Sequence, residues 1–75
     1  MNDLIINLCK LIADNAQSRL DEEQYLIDIQ DAIARGLDVE TAPSKIVARI
    51  EYFKGRHDGL RAALDLIQLE AKVGA

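Results

Sequence analysis

The sequence is poor in everything that stabilises a small fold covalently. Its 75 residues include one Cys, Cys9, and one His, His57. Neither an internal disulfide framework nor a paired-histidine metal site can form within one chain. One Pro and four Gly leave few places where the backbone must turn. Base is in the minority, with 9 Lys+Arg against 13 Asp+Glu and a net charge of −4. That excludes a strongly basic nucleic-acid binder as the leading reading. No apolar run approaches the roughly 20 residues needed to span a bilayer. The apolar start, Leu4 to Ala13, follows Asp3 rather than a basic stretch and is interrupted by Lys10. It therefore reads as part of a cytoplasmic protein, not as a secretion signal.

What is present is a chain 49% hydrophobic and 29% charged, which is the balance of a single globular domain over residues 1–75. Below about 70–80 residues one core supplies only about 3–5 kcal/mol. Self-association, or docking on a larger protein, is expected on size alone. Alternation with period two is scarce, so the fold class is all-α, with two or three helices in a hairpin or bundle.

The first segment, about Asp3 to Gln17, carries Leu4, Ile5, Leu8, Leu11 and Ile12 at helical spacing. Asn2 or Asp3 is suited to cap it. Asp21-Glu22-Glu23-Gln24 has the form of a capping box, with Leu20 and Tyr25 placed as a hydrophobic staple. These signals favour a second helix from about Glu22 to Arg35. One unbroken helix from Asp3 to Arg35 stays open, because no residue between Asn15 and Asp21 forbids it. Gly36 is placed to end the helix, and Thr41 with Pro43 to open the last one, about residues 43–72.

The last helix carries most of the information. Ile46, Ile50, Phe53, His57, Leu60, Leu64, Ile67 and Ala71 follow a 4-3 spacing. This heptad seam predicts pairing along the helix length, and it is the expected seam of a homodimer. A second stripe, Ala48, Tyr52, Gly55, Gly59, Ala62, Leu66 and Leu69, lies two residues on and almost opposite. Helical glycine costs roughly 1 kcal/mol against alanine, so Gly55 and Gly59 suggest a close helix approach. The first two helices are expected to fold back and cover one stripe while the other pairs two chains. Both stripes compete for the dimer seam, and the longer heptad seam is favoured. His57, within the seam, is read as a hydrogen-bonded residue that sets register.

Charge divides unevenly along the chain. Residues 1–40 hold 3 basic and 9 acidic side chains, net −6; residues 41–75 hold 6 and 4, net +2. Arg49 and Arg56 on the last helix, and Glu22, Glu23, Asp28 and Asp31 on the second, are therefore candidate partner contacts. The bland reading is that they pair with each other. No spacing marks a catalytic, cofactor-binding or metal-binding residue, and a non-enzymatic protein with no cofactor is expected.

The stretch Tyr52-Phe53-Lys54-Gly55-Arg56-His57-Asp58-Gly59-Leu60-Arg61-Ala62-Ala63-Leu64-Asp65-Leu66-Ile67 resembles a helix found in short acidic all-helical accessory proteins of phages and prophages. The resemblance covers about a fifth of the chain. It implies a bacterial host cell and a regulator or inhibitor that binds a larger bacterial protein, in the manner of an anti-repressor or an anti-host-defence factor. Two alternatives accompany it. One is a nucleic-acid accessory dimer gripping phosphates with Lys45, Arg49 and Arg56. The other is a small secretion co-chaperone, to which the helical layout is also similar.

Overall fold

The described residues form two antiparallel helices. In the computed structural model, the backbone is described for residues 2–73 and the side chains for residues 3–70. Helix α1 spans Asn2–Ala34 and α2 spans Pro43–Val73. They form a hairpin measuring 61 × 16 × 13 Å. Among the described residues there is no strand. No described helix is long and apolar enough to cross a membrane.

The break favoured near Asp21 does not occur, and the unbroken alternative is the one observed. Asp21 accepts a bond from Gln17 Nε2 at 2.9 Å, and Gln24 Nε2 donates to Asp28 at 3.0 Å. Both bonds link residues four apart on one helix face, so the box residues support the helix interior. Nor does the staple form. Leu20 is exposed, whereas Tyr25 turns inward to the core around Ile29 and Ile46. Asn2 already lies inside α1, and Asp3 sits in its first turn, where an acid suits the helix dipole.

Gly36 ends α1 as expected, with φ +77°. Its N–H donates to the Ile33 carbonyl at 2.9 Å, and the Leu37 N–H donates to Ala32 at 2.9 Å. These are the paired bonds of a Schellman cap, which needs a left-handed residue at this position. Thr41 departs from its expected role. Helix α2 opens at Pro43, and Lys45 N–H donates to the Ala42 carbonyl at 3.0 Å. Thr41 Oγ1 instead accepts a bond from the Tyr25 hydroxyl at 3.2 Å, fastening the linker to α1.

The core is one seam between the helices. On α2, Ile46, Ile50 and Leu64 are buried, and Phe53, His57, Leu60 and Ile67 are half-buried. The Ala71 side chain lies outside the described residues. The seam assigned to a dimer is therefore filled by α1 of the same chain. The reason lies in α1, where Ile5, Leu8, Ile12, Asn15, Arg19, Glu22, Leu26 and Ile29 recur at 3-4 spacing and are all buried or half-buried. Two heptad seams joined by a short linker meet each other first, because closing a short loop costs least.

Two substitutions test this fold by thermal melting followed with circular dichroism. Gly36→Ala should destabilise by about 1 kcal/mol, a fall of about 4–8 °C, because alanine is strained at positive φ. Asp21→Ala should leave the melting temperature unchanged or raise it slightly, since alanine is the better residue in a helix interior. A loss of about 1 kcal/mol there is the signature of a lost N-cap, and would place a helix start at Asp21.

Candidate protein-binding surface

The centre of the hairpin seam is polar. Asn15 is buried at 4% exposure, and its Nδ2 donates to the Phe53 carbonyl at 2.8 Å. In a helix that carbonyl also faces the N–H of His57, so Asn15 sits at the turn joining Phe53 to His57. One turn or two further along α1 lie Arg19 and Glu22. Glu22 Oε1 reaches Arg49 at 3.8 Å, the salt bridge that joins the two helices among the described residues. Arg19 Nε is 3.4 Å from Glu23 Oε1, near enough to attract but without hydrogen-bond alignment. Asn15 Oδ1, Arg19 Nε and Glu22 Oε2 are buried and lack hydrogen-bond partners. A buried, half-satisfied polar layer costs stability and fixes which turn meets which. His57, one turn beyond Phe53 on α2, is half-buried within one chain.

The apolar ends of the seam do not use all the apolar side chains. On α1 a second stripe runs one residue on from the first: Ile6, Cys9, Ala13, Ala16, Leu20, Glu23 and Ile27. One residue is about 100° of rotation, so this stripe flanks the hairpin. Ile6, Leu20 and Ile27 are each more than half exposed, at 57%, 51% and 58%. Cys9 and Ala13 are exposed and Ala16 is half-buried. Asp14, Asp21 and Asp28 follow one residue beyond Ala13, Leu20 and Ile27, all exposed, and rim the stripe with acid.

The stripe is not evident in the sequence, because a helix break near Asp21 resets the phase on which the count depends. Continuous counting from Ile6 through Ile27 is the signal that finds it. The surplus of apolar residues at the start of α1 is visible without the fold. The structure divides it, with Ile5, Leu8 and Ile12 inward and Ile6 and Cys9 outward.

The charged candidates are largely engaged with their neighbours. Arg49 faces Glu22, Glu23 faces Arg19, and Asp31 pairs with Arg35 at 3.1 Å. Asp28 accepts from Gln24. Arg56 is exposed on α2. Gly55 and Gly59 face open space. A methyl group added at either would meet no neighbouring atom within 4 Å, so no close helix approach occurs within the hairpin. Their whole stripe, Ala48 to Leu69, is exposed. Among the described residues, no group of three or more His, Cys, Asp and Glu side chains is placed to hold a metal ion.

No family model, curated protein or solved structure matches the chain.

The polar layer makes a prediction of its own. Asn15→Leu removes an orphaned buried oxygen along with one hydrogen bond, and should raise stability by about 1 kcal/mol. Asn15→Ala leaves a void as well and should lower it by about 1–2 kcal/mol. Urea unfolding of both variants measures the pair. A fall for Asn15→Leu would show that the amide stabilises the hairpin outright.

Proposed function

We propose that this chain is a small non-enzymatic protein-binding module, of the kind by which a phage or mobile element sequesters or blocks a bacterial protein. The observation that supports it is the exposed α1 stripe of Ile6, Leu20 and Ile27, with Cys9 and Ala13 between them. A thin two-helix core needs every apolar residue it can bury, yet these three remain in water. Ile6, Leu20 and Ile27 recur at multiples of seven and so share one helix face, with Glu23 interrupting it between Leu20 and Ile27. That spacing suits an apolar groove on a target. The rim of Asp14, Asp21 and Asp28 favours a groove edged with Lys or Arg, which steers the encounter and orients the complex. Anti-repressor and anti-host-defence roles fit a module of this size and charge.

The nucleic-acid alternative draws less support. Of Lys45, Arg49 and Arg56, Arg49 already faces Glu22, so the basic edge is thinned in a chain of net charge −4.

Affinity capture from bacterial lysate, with and without nuclease, tests the reading when run beside Leu20→Glu. The expected result is one stoichiometric protein that survives nuclease and is lost with Leu20→Glu. Circular dichroism of that exposed-site variant should show unchanged helix content. Recovery of nucleic acid, or of partners that vanish with nuclease, would make the basic edge the working surface instead. A target retained by Leu20→Glu would move the contact off the α1 stripe.

A further inference from the structure

The outer stripe of α2 has no role in the hairpin and none in the target contact. It runs Ala48, Tyr52, Gly55, Gly59, Ala62, Leu66 and Leu69, all exposed, with Tyr52, Leu66 and Leu69 at about 60%. We propose that this face is the seam of an antiparallel homodimer, α2 against α2, joining two hairpins into a four-helix assembly.

The first argument is area. The chain exposes 5595 Å². A compact monomer of its 8.3 kDa exposes about 4,600 Å². The excess, about 1,000 Å², is close to the roughly 800 Å² that each partner gives to a stable protein interface. The elongated hairpin thus exposes more than a compact monomer by about the area of one such interface.

The second argument is self-complementarity, which selects a second copy over any other occupant. From Ala48 to Leu66 the spacing of the stripe reads the same in both directions, so a two-fold axis at the height of His57 brings these residues into register with themselves, and Leu69 lies against the partner's Lys45. Gly55 then lies against the partner's Gly59, and Tyr52 lies against the partner's Ala62. Ala48 lies against the partner's Leu66. Beside the axis two backbones can approach closely, and outward from it a large side chain meets a small one. Packing of this kind is how helix cores fill without voids. A parallel pair would set Tyr52 on Tyr52 and Leu66 on Leu66, and would leave the glycines as a gap. Of the flanking charges, Glu51 pairs with Lys54 and Asp65 with Arg61 within each copy, at 3.6 and 3.4 Å, whereas Arg56 and Asp58 beside the axis each meet their own copy and weaken the pairing.

The glycines provide a clean test. Because open space surrounds Gly59 and leucine is a better helix former, Gly59→Leu should leave the hairpin folded and at least as helical. It would wedge the axis apart. Sedimentation equilibrium at about 10 µM should show a dimer for the natural chain, with association weakened about tenfold to a hundredfold by overpacking in Gly59→Leu. Orientation is read by cross-linking in a Cys9→Ser background. Ala48→Cys and Leu66→Cys are 18 residues apart, about 27 Å along the helix. Neither alone should form a disulfide dimer, and a mixture of the two should.

A monomer for the natural chain at that concentration overturns the proposal. So does a dimer that tolerates Gly59→Leu but is broken by Leu20→Glu, which would place the seam on α1. Cross-linking of either single-cysteine variant with itself would show a parallel pair and equally overturn it. The proposal stands apart from target binding. Gly59→Leu should still capture the target through α1, and Leu20→Glu should still dimerise.

Discussion

A single hydrogen bond sets the geometry on which everything else rests. Asn15 Nδ2 reaches across the hairpin to the Phe53 carbonyl, and it does so from a buried position in the middle of both helices. Two uniformly apolar heptad seams can slide past one another by a turn at little cost, because one leucine layer resembles the next. An amide that must find a carbonyl allows no such freedom. With that turn fixed, Leu8 and Leu64 are buried towards the open end, and Ile29, Ile46 and Ile50 cluster near the linker. Which side chains remain outside is decided by the rotation of each helix, which turns its 3-4 seam inward; the register fixes the heights at which the outward stripes of α1 and α2 stand.

Much of the fold is legible in the sequence because helices announce themselves by period and by their ends. The α2 seam from Ile46 to Ile67 can be counted directly, and its residues are the ones turned inward. Gly36 is recognisable because only glycine takes a left-handed cap without strain, and Pro43 because proline suits a first helical turn. The capping box at Asp21 misleads for a physical reason. Asp and Gln four residues apart are equally able to bond along a helix face, and local sequence does not distinguish a start from an interior.

The identity of the seam's partner is less accessible still. The α1 seam carries Asn15, Arg19 and Glu22 at its centre, so its apolar signal fades where the two halves of the count must be joined. Without that seam in view, nothing decides which of the two α2 stripes α1 covers and which is left for a second copy. The two glycines are unusual on spacing alone. Their setting, on the face turned away from α1, is a fact about tertiary placement that spacing does not contain.

The tie between Tyr25 and Thr41 bears on how the hairpin comes together. It closes over 16 residues, against 38 for the Asn15–Phe53 bond, and lies beside the cluster of Ile29, Ile46, Leu26 and Val39. Contacts there close the chain over few residues, whereas Leu8 and Leu64 are separated by most of its length. Loop-closure entropy therefore orders the zippering from the linker outward. The last turns to form are also the first to open, so amide protection should decline steadily with distance from the linker. In such a hairpin the turns around Leu8 and Leu64 behave as a reservoir of local unfolding, while the turn end keeps the pairing from being lost.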